Sequence, residues 1–95
     1  MLYNHRYDLI NKTLLDAADI LEREGWCQFI QQNRQGQRCL TEAIMATSLP
    51  IRFRHAAIQR LQDYLNEYVM EWNDYRCRTK QQAIAALKSA ASTEI

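Results

Sequence analysis

Apolar side chains recur every three or four residues along most of this chain, and this spacing constrains the fold more than any other feature. Residues on one face of an α-helix repeat at that interval, so each such stretch predicts a helix with one buried side. The first stretch contains the apolar positions Tyr3, Tyr7, Ile10, Leu14, Ala18 and Leu21. It predicts a long amphipathic helix ending near Glu24, because Gly25 suits the left-handed residue that closes a helix.

Three further helices are predicted after residue 40. Thr41 is a good capping residue for a short helix, and Pro50 separates that helix from the next because proline disrupts a helix interior. The next helix is expected to continue to Trp72, over roughly twenty residues, since the apolar interval is kept. The sequence Thr79-Lys80-Gln81-Gln82 has the pattern of a capping box, which predicts a last helix to about Ala91.

The segment between the first two helices has no helical period. Trp26-Cys27-Gln28-Phe29-Ile30 precedes Asn33-Arg34-Gln35-Gly36, and the glycine can take the positive φ of a tight hairpin turn. An isolated hairpin is barely stable in water, so we expect Trp26, Phe29 or Ile30 to pack on the helices. The predicted fold is mainly α (small α+β), with about four helices and one β-hairpin inserted after the first helix.

Composition favours one small domain without a strong electrostatic field. The 95 residues are 47% hydrophobic, and 12 Lys and Arg against 11 Asp and Glu give a net charge of +1. Such a balance offers no overall attraction for a polyanion. The odd number of cysteines, the lack of a secretory apolar stretch and apolar runs too short for a membrane span predict a cytoplasmic protein without membrane contact.

Four short motifs occur in a characteristic order. They are Gly25-Trp26-Cys27-Gln28, Cys39-Leu40, Trp72-Asn73-Asp74 and Arg78-Thr79. Together they resemble a domain-of-unknown-function family of bacteria and phages, which has Gly-Trp-x-Gln, Cys-Leu, Trp-Asn-Asp and Arg-Thr motifs. The resemblance covers about residues 14–91. It implies a single domain over 1–95, with 1–12 as an N-terminal extension, 13–91 as the family-like core and 92–95 as a frayed tail.

The family resemblance implies no activity, and the residues themselves indicate no catalytic or cofactor site. Family members often have Gly-Ala after the Cys-Leu step, where this chain has Thr41-Glu42-Ala43. The residues Cys27, Cys39, Cys77, His5 and His55 lack the paired spacing of structural zinc sites. A Cys39, His55 and Asp74 arrangement can be drawn, but no strained nucleophile turn or glycine-rich anion loop accompanies it. We therefore expect no enzyme, metal or cofactor, and the redox state of the cysteines stays open.

Two tryptophan motifs are the candidate structural elements. They comprise Trp26, Gln28, Trp72, Asn73 and Asp74. An indole followed by side chains that bond backbone amides is typical of a locked helix corner, which is the interpretation we favour. The alternative is that one indole is exposed as an interface hot spot.

Basic residues form the candidate interaction surface. They are Arg34, Arg38, Arg76, Arg78 and Lys80. If they shared one face, they would bind phosphates or an acidic protein surface, whereas solvated surface charges are the more ordinary interpretation. A second candidate surface is a dimer face formed by Tyr3, Tyr7 and Ile10, at the N-terminal end.

The functional expectation is a small non-catalytic protein-interaction or regulatory module with an unidentified protein partner. Inhibition of a larger host machine is one concrete version of it, and a homodimer is a further option. The alternative, which we do not favour, is nucleic-acid or phosphate binding through the basic residues, and strong salt dependence would be its signature.

Overall fold

The computed structural model describes residues 5–92, with the side chains of residues 8–92. This part of the chain folds into five helices, which confirms a mainly helical protein. The helices are α1 (His5–Glu24), α2 (Leu40–Met45), α3 (Ile51–Leu65), α4 (Val69–Asn73) and α5 (Lys80–Ala91). Among these residues, no helix has both the length and the apolar character needed to cross a bilayer.

Helix α1 is the centre of the core. It packs most extensively on α5 and also contacts α3 and α2. Ala17 and Ala18 on α1, and Ala83 and Ala90 on α5, are fully buried. Such small side chains let two helix backbones approach closely. Larger buried residues then fill the space towards α2 and α3, among them Leu14, Leu21, Leu40, Ile44 and Leu61.

The prediction of one helix from Pro50 to Trp72 is wrong, because α3 ends at Leu65 and a separate helix, α4, begins at Val69. Asn66 has a left-handed backbone with φ of 59°, and its amide caps α3 by donating to the Gln62 carbonyl oxygen. Asparagine tolerates this conformation better than most residues. The apolar interval did not reveal the break, since α4 also buries one side through Val69. Because of this break, residues 5–92 contain five helices rather than four.

The predicted β-hairpin is also wrong. In the described chain, loop 25–39 has isolated bridges between Trp26 and Arg38 and between Gln32 and Arg38, not a two-stranded ladder. A tight turn does form at Asn33, whose carbonyl oxygen accepts from the Gly36 amide at 3.0 Å. Strand pairing fails because the backbone of Phe29 takes a positive φ of 69° and its amide bonds elsewhere.

Several local predictions hold at the helix ends. Gly25 has φ of +96° and its amide donates to the Leu21 carbonyl oxygen, so it closes α1. The capping box at the start of α5 is complete, with reciprocal bonds between Thr79 and Gln82. The cap of α2, however, is Cys39 rather than Thr41, and its sulfur accepts from the Glu42 amide at 3.4 Å.

Candidate interaction site

A fully buried amide side chain, Asn73, joins loop 25–39 to the end of α4. Its Oδ1 accepts from the Trp26 indole Nε1 at 2.7 Å and from the Leu40 amide at 3.0 Å. Its Nδ2 donates to the Cys27 carbonyl oxygen at 3.2 Å and to Asp74 Oδ1 at 2.9 Å. An amide side chain offers two acceptor positions and two donors, so all four are used. The side chain is 0% exposed, which makes every one of these bonds costly to lose.

Two neighbouring polar side chains extend this connection. Gln28 Nε2 donates to the carbonyl oxygens of Asn73 at 3.0 Å and Tyr75 at 2.7 Å. Asp74 Oδ1 accepts from the Phe29 amide at 2.9 Å. We call Trp26, Gln28, Asn73 and Asp74 the Asn73 network. These motif residues join loop 25–39 to α4 and do not form the expected corner between two helices.

The network holds three apolar side chains out in solvent. Phe29 is 73% exposed, Ile30 is 53% exposed and Tyr75 is 57% exposed. We call these three residues the loop surface. Of Trp26, Phe29 and Ile30, at least one was expected to pack on the helices, and Trp26 does so, whereas Phe29 and Ile30 are exposed. The physical reason is that the Phe29 amide donates to Asp74 and the Gln28 side chain bonds to the Asn73 carbonyl oxygen. These bonds fix the backbone in a geometry that leaves Phe29 and Ile30 exposed.

Phe29→Gly is expected to raise the free energy of unfolding by about 0.5–1 kcal/mol. A left-handed backbone costs a side-chain-bearing residue about 1–2 kcal/mol, and the flexibility of glycine in the unfolded chain offsets part of the gain. Little burial is lost, because the ring is exposed. Urea unfolding measures the change. Ile30→Gly is the matched control, since Ile30 lacks a positive φ, and it should lower stability. A loss of stability in Phe29→Gly as large as in Ile30→Gly would contradict the strain at Phe29.

The basic residues are largely bound within the chain. Arg38 forms ion pairs with Glu24 at 3.0 Å and with Glu42 at 3.3 Å. Lys80 Nζ lies 3.4 Å from the Glu22 carbonyl oxygen. Arg34 and Arg76 are exposed, at the loop turn and after α4. The charge of Arg38 is therefore already balanced, which weakens the case for one continuous basic face.

Arg78 has a different environment beside Trp72. Its Nε donates to the Trp72 carbonyl oxygen at 2.9 Å, and its guanidinium carbon lies 3.6 Å from the centre of the indole ring. The same carbon is 5.2 Å from the centre of the Tyr75 ring. Trp72 is half-buried against the core. Arg78 is thus held by stacking and by one backbone bond, a contact that the Arg-Thr motif alone did not predict.

Two of the three cysteines are buried thiols. All three are free, and Cys27 and Cys39 are buried. Burial raises the pKa of both thiols, which keeps them protonated and poorly nucleophilic. His55 is exposed on α3. Within residues 5–92, no group of His, Cys, Asp and Glu side chains is arranged to hold a metal ion.

The proposed dimer face falls mostly outside the described side chains. Tyr3 precedes the described residues, and the side chain of Tyr7 is not among those described. Ile10 is only 6% exposed and belongs to the core of the single chain. Ile10 is therefore not available to a second copy.

The comparisons with known proteins place this chain in a family. The model of a family of unknown function, DUF6197, matches residues 6–93. This range begins inside the segment 1–12 and includes all of α2, α3, α4 and α5. No curated protein and no solved structure matches the chain. A family model that covers nearly the whole fold is sufficient for assignment, and the chain belongs to the DUF6197 family of unknown function.

Proposed function

We propose that this chain is a non-catalytic protein-interaction module that contacts its partner through the loop surface. The observation that carries the proposal is Phe29, a large apolar ring that is 73% exposed on a left-handed backbone. Backbone strain of this kind persists only where surrounding contacts impose it, and it is concentrated at functional sites. Here the imposing contacts are the Asp74 bond to the Phe29 amide and the Gln28 bonds next to it.

The chemistry of the loop surface also suits a protein partner. Aromatic residues are enriched in the cores of protein interfaces, and exposed clusters of them on a small domain commonly mark binding sites. The Asn73 network fixes the loop before any partner arrives. A surface ordered in advance loses less conformational entropy on binding, which favours affinity.

Nucleic-acid or phosphate binding is the second candidate function, and the structure gives it less support. Arg38 is already paired with two carboxylates, and Lys80 lies against a backbone carbonyl oxygen. Arg34 and Arg76 remain as exposed cations on the loop and after α4. The guanidinium of Arg78, which stacks on Trp72, adds a third cation, but a net chain charge of +1 gives these residues no strong overall field to attract a polyanion.

We propose that the protein binding has a regulatory role in the cytoplasm. Inhibition of a larger host machine is one example of such a role. In this proposal the module acts by occupying a surface of another protein. The fold by itself does not name that protein, since function depends on the site rather than on the architecture.

Capture from a native lysate, with and without nuclease treatment, tests the proposal. Immobilised wild type is compared with a Phe29→Asn/Ile30→Asn variant, because asparagine accepts the left-handed backbone while removing the apolar surface. The variant should retain roughly tenfold less of a protein partner than the wild type, as expected for interface hot spots. Ile51→Asn is the control, since Ile51 is also exposed but lies on α3.

Three outcomes are distinguished. Loss of one protein in the loop variant but not in Ile51→Asn supports the loop surface. Equal recovery from all three chains contradicts it. Recovery that disappears after nuclease treatment, together with a steep fall in affinity as salt is raised, would make nucleic-acid binding the working function.

A further inference from the structure

A groove with one cation lies on the side of the molecule where α3, α4 and α5 meet. Its volume is about 500 Å³, and the residues that shape it include Tyr64, Leu65, Trp72, Arg78, Gln82 and Ala85. Arg78 is the one charged residue of its lining. The walls are otherwise apolar or neutral, so the charge of the groove is that of the guanidinium group.

The guanidinium of Arg78 is fixed but not neutralised. Stacking on Trp72 and the bond from Nε hold its plane in place. Among residues 8–92, the carboxylates of Asp16, Glu24 and Glu42 pair with Lys12 and Arg38, and no described carboxylate forms an ion pair with Arg78. Its two terminal nitrogens remain as donors. A planar fork of donors matches the two oxygens of a carboxylate, and a stacked, pre-ordered arginine loses little entropy when it binds one.

We propose that this groove binds an acidic-apolar segment of the partner protein, in which an Asp or Glu side chain lies next to an apolar one. The carboxylate pairs with Arg78, and the apolar side chain packs between Tyr64 and Ala85. The inference rests on the proposed function, that the chain binds a protein. The Tyr75 ring lies beside Arg78 and belongs to the loop surface, so one partner spans both.

The probe is a pair of capped dipeptides, acetyl-Leu-Glu-amide and acetyl-Leu-Gln-amide, which differ in charge and hardly in size. Each is titrated into the ¹⁵N-labelled full chain, and the indole Nε1–H signals of Trp26 and Trp72 are followed by NMR. The glutamate peptide should shift the Trp72 signal with saturation at millimolar concentrations, and the glutamine peptide should bind about fivefold more weakly. The Trp26 signal should stay in place, because that proton is bound to Asn73.

Two variants separate loss of charge from loss of fold. Arg78→Gln should abolish the difference between the peptides. Ala85→Leu fills the groove from an exposed helix position and keeps Arg78, so it should weaken both peptides at least about fivefold, since even one buried apolar contact is worth that much. Gln81→Leu is the matched control on the same helix and should change neither affinity.

Each other outcome overturns the groove proposal. These outcomes are equal affinity for the two peptides, no shift at tens of millimolar, a shift of Trp26 instead of Trp72, or tighter binding of inorganic phosphate than of the glutamate peptide. The loop surface is judged separately by the lysate capture. Peptide binding with unchanged capture by Phe29→Asn/Ile30→Asn would contradict the loop surface alone, whereas lost capture without peptide binding would contradict the groove alone.

Discussion

Asn73→Ala is expected to lower the free energy of unfolding by about 3–5 kcal/mol, because it leaves several buried polar groups without partners. The indole N–H of Trp26, the Leu40 amide and the Cys27 carbonyl oxygen all bond to the Asn73 side chain. Each unsatisfied buried group costs about 1–3 kcal/mol, and local relaxation recovers part of the sum. Chemical unfolding in urea, followed by far-ultraviolet circular dichroism, measures the change.

Glu71→Ala is the control for the Asn73 substitution. Glu71 lies on the same short helix and is exposed, so its removal should change stability by no more than about 0.5 kcal/mol. If Asn73→Ala were as mild as Glu71→Ala, the Asn73 side chain would not be holding loop 25–39 in solution.

Leu14→Ala is expected to cost about 3–4 kcal/mol, as is typical for deleting a buried leucine side chain. Leu14 is 0% exposed at the centre of α1, the helix that contacts α2, α3 and α5. The loss combines the transfer free energy of the removed atoms with the cavity that the rigid neighbours leave behind. Thermal and urea unfolding of the variant measure it.

Leu15→Ala supplies a matched comparison, since it makes the same substitution one position along the same helix. Leu15 is 46% exposed, so this change should cost less than about 1 kcal/mol. Similar losses in the two variants would mean that α1 does not present the face towards the core that the fold requires.

The helices were predictable because their signals are local. The interval of apolar residues, Gly25 after α1 and the capping box at Thr79 each depend on side chains within a few positions of one another. The break at Asn66 was missed because the same interval continues on both sides of it. A single asparagine does not by itself indicate a left-handed residue, although asparagine tolerates that conformation better than most residues.

The loop was mispredicted because its contacts are distant in sequence. Trp26 and Gln28 bond to residues that follow them by 45 to 47 positions. The local pattern predicted that Phe29 would continue a strand. In the structure the Phe29 amide donates a hydrogen bond to the Asp74 carboxylate, and the Phe29 backbone has a positive φ. The sequence did single out the right side chains, since the two tryptophan motifs supply the whole Asn73 network. The sequence did not show which residues of the first tryptophan motif bond to which residues of the second.

The same pairing links stability to the proposed function. The Asn73 network uses hydrogen bonds, some of them buried, to keep a strained, apolar loop exposed, which an isolated loop would not sustain. Loss of the network should therefore weaken partner binding as well as folding, because Phe29 and Ile30 would no longer be presented in a fixed geometry.

The most direct test of the coupling between loop 25–39 and α4 is a double-mutant cycle of Trp26→Phe and Asn73→Ala, measured by urea unfolding. Trp26→Phe removes the indole donor, so the second substitution then leaves one fewer unsatisfied group. The 2.7 Å bond between the two side chains predicts a coupling free energy of about 1–2 kcal/mol. Additive losses, equal within about 0.3 kcal/mol, would contradict the Asn73 network as the connection that holds the loop surface in place.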